Sequence, residues 1–364
     1  MKCVNSYNEW DPLEEIIVGN GFPADLPSDD LGFKFFFHDN LLGPDGALYA
    51  GRWYLEKRYI EELREDLESF VNILKQRNIT VRRPKEPAGP HEVKTLCWSS
   101  SNYPALNVRD LTLVVGNEII ETSVLARWRQ FENDYLKHLF LDYFKRGAKW
   151  TAAPRPLSTD KSIDYSRVEQ TPEIKKYYDT LKQQEHSNLD CGVEIMFDAA
   201  NCIRMGNTIM FNAPTEHERL GAEWLQRHLG KKYKVWTVNI FDNHIDSLFL
   251  PIRPGLAILT LPIKHKLPEP LRKWDIVYVP SLLEPHKTPD YMPIASEKIF
   301  CNLLSLSPNE VICQPEYYDI LSKRLKPFKV EVTPNRLRHS RLFGGGHHCL
   351  TLDIRRKGKL ENYF

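Results

Sequence analysis

Hydrophobic positions along this chain switch repeatedly between a strand-like and a helical period. The stretch Glu9-Trp10-Asp11-Pro12-Leu13-Glu14-Glu15-Ile16-Ile17-Val18-Gly19 reads as a proline-containing turn feeding a short buried strand. After a Gly-, Asp- and Phe-rich stretch to about Tyr49, Leu55, Tyr59, Ile60, Leu63, Leu67, Phe70, Val71 and Leu74 recur at helical spacing with charges between them. That predicts an amphipathic helix, ending at Asn78 and passing at once into the β-branched strand Ile79-Thr80-Val81. The order then recurs. Residues 110–120 read as strand, Gly-Asn turn and strand, before a helix over 127–144 and a strand at Lys149-Trp150-Thr151. Residues 201–210 repeat the Gly-Asn turn, followed by a helix over 216–229 and a strand over 235–240. A fourth unit runs through strands 246–250 and 256–259, a short helical patch and strand 275–279. A fifth runs from 307–312 through helix 315–325 to strand 329–332.

A doubly wound sheet shows one strand per helix, whereas here a hairpin precedes several of the helices. The expected fold is therefore α/β: five ββαβ-like units around a pseudo-fivefold axis, a propeller forming one unit over 1–364, with loops converging on a central site. The polar segment 158–190 reads as a surface excursion.

Composition narrows the function. The 364 residues are 42% hydrophobic and 27% charged, as in ordinary globular proteins, and 49 basic against 48 acidic residues leave no electrostatic footprint for nucleic acid. A small-molecule partner is expected. No run of about 18 apolar residues exists for a membrane span. Seven scattered cysteines without Cys-x-x-Cys spacing, and a start lacking an apolar or arginine-rich leader, point to free thiols in a reducing cytoplasm.

Candidate chemistry gathers on three short segments. Gly344-Gly345-Gly346-His347-His348-Cys349 removes Cβ constraints ahead of a thiol, so a substrate can approach it closely. Phe197-Asp198-Ala199-Ala200 sets a carboxylate among small residues, and His244-Ile245-Asp246 puts an imidazole and a carboxylate two apart, on one face of an extended segment. Cys349 reads as a nucleophile, which needs a nearby cation to become thiolate. His244 reads as acid and base, with Asp198 available to fix its ring. Further acids such as Asp110 and Asp246 oppose a thiolate unless the substrate is itself cationic, and guanidinium is the planar fork that carboxylates grip. The expected reaction is thiolate attack on a guanidino carbon.

These segments resemble the arginine:glycine amidinotransferase family. The resemblance rests on residues 4–19, on Arg109-Asp110 leading to residues 115–121, on Phe197 to Ala200, residues 221–229 and His244-Ile245-Asp246, and on Gly344 to Cys349 followed by Asp353-Ile354-Arg355-Arg356-Lys357-Gly358. It covers nearly the whole chain. It implies the pentein fold, a five-bladed α/β propeller, and a ping-pong transfer without metal or organic cofactor. By resemblance, Cys349 takes the amidino group of L-arginine and releases L-ornithine, His244 protonates the departing amine and deprotonates the incoming one, and Asp198 orients His244. Asp110 and Asp246 hold the donor, Lys264 falls near the position that binds its carboxylate, and Ser296 falls in the pair that touches substrate; a homodimer is implied as well.

Several positions depart from the family pattern. Asn201 replaces a second aspartate, His347 an aromatic residue and Ala295 one serine of the pair, and the segment before His244 is shorter than in glycine-using members. The expected acceptor is therefore an amine bulkier than glycine, lysine-like or a specialised-metabolite precursor. The alternatives are a guanidine hydrolase of the same fold and a propeller that only binds ligand. Zinc held by His347, His348 and Cys349 is disfavoured, because adjacent residues rarely surround one ion.

Overall fold

A computed structural model describes residues 2–22, 25–26, 53–54, 56–86, 92–101, 103–162, 188–240, 244–279, 299 and 302–364. Among these residues, five three-stranded sheets share one topology: the middle strand pairs antiparallel with one neighbour and parallel with the other. In the second blade Thr112–Val115 and Glu118–Glu121 form the hairpin, and Lys149–Ala152 returns parallel after the helix Lys137–Lys145. The third blade uses Cys202–Met205, Thr208–Asn212, helix Glu216–Leu229 and Lys234–Val238. The fourth uses Phe249–Arg253, Leu256–Leu259, helix Glu269–Arg272 and Asp275–Tyr278; the fifth uses Leu304–Ser307, Glu310–Cys313, helix Tyr318–Leu325 and Glu331–Pro334.

The first blade closes the ring. Its central strand Leu13–Val18 runs parallel to Thr80–Arg82, but its antiparallel partner is Thr351–Arg356, from the other end of the chain. Residues ahead of that strand stitch three blades together: Asn5 N donates to Ile354 O, Ser6 bridges to Gly116 and Asn8 to Met205. The hairpin strands are apolar runs buried on both faces, such as Thr112–Val115 and Leu256–Leu259, whereas the returning parallel strands are half exposed. The helix Lys57–Gln76 lays Leu63, Leu67, Phe70 and Leu74 against Leu304, Ile312, Leu342 and Leu350, so it packs beneath the segment that carries Cys349.

Two local expectations change. The helix expected over 127–144 breaks into 3-10 turns at Arg127–Arg129 and Glu132–Leu136 before Lys137–Lys145. Polar side chains there are committed to the preceding segment: Arg129 donates to Asp110, and Asn133 pairs with Thr112 Oγ1 and Leu111 O. Asp246 lies not in an extended strand but in the 3-10 turn Ile245–Ser247, which turns it inward ahead of Phe249–Arg253. Most of the polar segment 158–190 lies outside the described residues.

Buried charges fill the centre. Arg204 donates to both oxygens of Glu9 (2.8 and 2.7 Å), to Asp353 Oδ2 (2.7 Å), to Ser6 Oγ (2.7 Å) and to Val114 O (3.0 Å). Arg356 and Arg109 also grip Asp353. Although burial favours the neutral acid, Arg204 holds Glu9 well below the usual carboxylate range, and Arg204, Arg109 and Arg356 do the same for Asp353.

Candidate active site

Cys349 reaches the centre through a run of glycines with specific occupants beside them. Gly344 caps the short helix Ser340–Phe343 in the left-handed region, at φ 71°. A Cβ on Gly345 would stand 2.0 Å from Asn107 Oδ1, and one on Gly346 would stand 2.8 Å from Asn302 Cβ. At these two positions the missing side chains admit two asparagines rather than a substrate. Asn107 Nδ2 donates to Phe343 O (2.9 Å). Asn302 Oδ1 accepts from Gly346 N (3.0 Å) and Cys349 N (2.9 Å), and its Nδ2 donates to Cys349 Sγ (2.9 Å). From the other side Arg109 Nε donates to His348 O (2.9 Å), and its backbone N to Cys349 O (3.2 Å).

His244 comes from the third-to-fourth blade connection. Its Nε2 lies 2.8 Å from Asp198 Oδ2, and Asp198 Oδ1 accepts from Leu125 N (3.1 Å), so the carboxylate is fixed before it fixes the ring. Asn201 secures the next residue, since its Oδ1 accepts from Ile245 N (3.3 Å) while its Nδ2 donates to Glu218 Oε1 (3.0 Å). Glu218 also closes a capping box with Thr215 at the start of helix Glu216–Leu229. The departure to asparagine thus has a structural use: it ties the His244 segment to a helix terminus.

The structure brings Asp110, His244 and Cys349 together, with one donor atom from each inside a 4.8 Å spread. His244 Nδ1 is 3.8 Å from Asp110 Oδ1, and Asp110 Oδ2 accepts from Arg129 Nη1 (2.8 Å). Asp246 joins from its own turn: Oδ2 meets His348 Nδ1 (2.7 Å) and accepts from Cys349 Sγ (3.4 Å). Two carboxylate oxygens, Asp110 Oδ1 and Asp246 Oδ1, are buried without a hydrogen-bond partner. Such groups carry a desolvation cost unless something binds them.

Charge in the site is arranged for a cationic visitor. Burial disfavours a charged His244, but Asp110, then the hydrogen bond and charge of Asp198, then Asp246 raise it to about 9. Burial first, then Asp246 and Asp110, hold the Cys349 thiol well above its ordinary value against the Asn302 hydrogen bond. Burial raises Asp110 despite His244 and Arg129, while Asp246 is lowered: the His348 hydrogen bond and charge, with His244 and Arg109, outweigh burial. These groups by themselves therefore favour imidazolium and thiol. A bound cation shifts that balance toward thiolate.

The remaining expected residues stand apart. Lys264 Nζ donates to Trp274 O (3.0 Å), and Ser296 with Ala295 lies outside the described residues, as do residues 241–243 ahead of His244. His347 faces away: Nε2 meets Asn335 Oδ1 (3.0 Å), the ring packs edge-on against Phe70, and burial lowers its pKa to about 3. His348 turns to Asp246 and Glu9, so the adjacent histidines do not form a zinc set with Cys349. Among the described residues, the grouping that could hold an ion is Asp110, His244 and Cys349, where a guanidino carbon would also have to sit. Sequence reasoning missed Asn302, Arg129 and the roles of Arg109 and His348. Asn302 sits in Asn302-Leu303-Leu304 at a strand entrance, with no motif around it.

No protein-family model matches the chain. Across 369 residues, 34% are identical to inosamine-phosphate amidinotransferase 1 of Streptomyces glaucescens, covering 100% of this chain and 99% of that protein. L-arginine:L-lysine amidinotransferase of Pseudomonas savastanoi pv. phaseolicola is 33% identical over 375 residues, covering 99% and 96%. The solved structure of an inosamine-phosphate amidinotransferase from Streptomyces griseus superposes with a TM-score of 0.85 at 32% identity, covering 100% of this chain and 99% of that one.

Proposed function

This chain belongs to the amidinotransferase family and has its pentein fold, and from the geometry above we propose that Cys349 carries the amidino group of L-arginine to an amine larger than glycine. The observation that carries the proposal is the pair of buried oxygens without a hydrogen-bond partner, Asp110 Oδ1 and Asp246 Oδ1, beside a thiol that burial first, and then their charge, keeps protonated. A guanidinium completes both carboxylates and, through its positive charge, lowers the cost of the thiolate it is about to meet.

In the donor half-reaction the sulfur bonds to the guanidino carbon and the bond from that carbon to the ornithine nitrogen breaks. His244, already an imidazolium, protonates the leaving nitrogen and is left neutral, and the ornithine amine departs as an ammonium with the proton that the thiol released. Asp198 keeps Nε2 engaged, so the other nitrogen faces the reacting groups. In the acceptor half-reaction a neutral amine attacks the amidino carbon, His244 takes its proton, and the electron pair of the breaking C–S bond returns to sulfur. The residues need no metal for either half.

An acceptor bulkier than glycine follows from the short segment before His244; lysine-like amines and specialised-metabolite precursors fit it. Lys264 would have to leave Trp274 O to reach a donor carboxylate, and Ser296 is assigned to the substrate contacts. The proposal includes a single folding unit, a homodimer and a reducing cytoplasmic setting. Light scattering tests the dimer. The six described cysteines are free thiols, and no described helix is long and apolar enough to cross a membrane.

Mass spectrometry after incubation with L-arginine alone tests the function: an amidino adduct on Cys349 with one equivalent of ornithine is expected, followed by transfer to lysine faster than to glycine. Citrulline and ammonia without any amine would establish the hydrolase instead, and faster formation of guanidinoacetate than homoarginine would refute the lysine-like acceptor.

A further inference from the structure

Among the described residues, Cys349 Sγ makes hydrogen bonds with two side chains, and their effects are opposite. Asp246 Oδ2, at 3.4 Å, accepts from the thiol and so favours the protonated sulfur; Asn302 Nδ2, at 2.9 Å, donates and so favours the sulfur as an anion. We propose that Asn302 is a catalytic residue, whose side-chain N–H stabilises the Cys349 thiolate both before attack on the donor and when the thiolate leaves the amidino carbon. The proposal rests on the amidinotransferase reading above.

The amide cannot be turned around without loss. Its Oδ1 accepts from Gly346 N and Cys349 N, two donors that an NH2 group would repel, so the N–H must face the sulfur. Asn302 O also accepts from His348 N (3.3 Å), which holds backbone and side chain of both segments in one register. The lack of a Cβ on Gly346 is what lets the asparagine come this close. The side chain is 2% exposed as part of its residue, so water does not compete for the contact.

Asn302→Asp separates this role from a purely structural one. The carboxylate keeps both backbone acceptor bonds but sets an oxygen, not an N–H, against the sulfur. Adduct formation from L-arginine should fall roughly 10- to 100-fold, the worth of one hydrogen bond to a charged group. The fall should appear in kcat with KM for arginine near wild type, because Asn302 touches sulfur rather than the donor's tail. A folded N302D that forms the adduct at the wild-type rate overturns the proposal. If the wild-type protein forms no adduct at all, the amidinotransferase reading has failed; iodoacetamide alkylation of Cys349 across pH in wild type and N302D still tests Asn302, and equal rates overturn it.

Should N302D not fold, the wild-type protein labelled with 15N-asparagine supplies the measurement. A side-chain amide proton should move on addition of arginine, and the same signal should stay put in Cys349→Ser. No arginine-dependent shift of any asparagine amide would overturn the proposal.

Discussion

Replacing Asp110 by asparagine is the sharpest probe of the site's electrostatics. His244 titrates at about 9 against an ordinary 6.5, a preference for the imidazolium of about 3 kcal/mol at 1.36 kcal/mol per pH unit. Asp110 is the largest favourable contribution, with its Oδ1 at 3.8 Å from His244 Nδ1. Losing that charge should remove about 1–2 kcal/mol and bring the ring to about 8 or slightly below. The sign is set by the role: the donor half-reaction needs the protonated ring, so its rate is full below the pKa and declines as pH rises through it. At pH 9 about half of the wild-type rings keep the proton, against about one in ten in D110N. The assay is single-turnover adduct formation at subsaturating L-arginine from pH 6.5 to 10, because kcat/KM reports the free enzyme. Weaker donor binding in D110N lowers the whole curve but does not move its alkaline midpoint. A midpoint that stays near 9 would refute the assignment of Asp110 as the charge that holds the proton on His244.

Other perturbations test the frame around the site. His347 is buried neutral with its pKa lowered to about 3. Its stabilising contribution is complete above the unfolded value of 6.5 and declines as pH falls, by about 2 kcal/mol at pH 5. His347→Phe should flatten the dependence of urea-unfolding free energy on pH between 6.5 and 5; an unchanged slope would contradict the buried neutral ring. Arg204→Lys keeps the charge but offers three donors where the guanidinium makes five hydrogen bonds, so at least two bonds to buried acceptors are lost, which should cost about 2–4 kcal/mol in urea melts. Wild-type stability in that variant would show that the central ion network carries little. Asn201→Asp, which restores the residue the family pattern expects, would place a carboxylate against Glu218 Oε1 where an amide now donates at 3.0 Å. It should lower stability by about 1–3 kcal/mol, and Glu218→Gln in the same chain should recover most of that loss; no recovery would count against the contact.

Much of this protein is written in local pattern. Apolar runs such as Leu113-Val114-Val115 and Leu256-Ala257-Ile258-Leu259, each beside a glycine-containing turn and followed by a helix, mark ββαβ units, because burial on both faces demands such runs and a hairpin demands such turns. Cys349 and Asp198 stand out beside glycine or alanine, His244 and Asp246 as a pair two apart, and Asp110 as a further acid in a segment with the family's pattern, and the structure gathers all five. Pairings across long sequence distances were not legible. Nothing near Leu13–Val18 says that its partner lies at Thr351–Arg356, and nothing near Asn302 says that its amide meets a sulfur 47 positions away. The helix expected over 127–144 failed for the same reason: its periodicity was real, but Arg129 and Asn133 answer to partners on another segment. Residue type and period act within a few turns of the chain. The energy of a buried hydrogen bond or ion pair depends on which distant group arrives, and here only the closed ring of blades decided that.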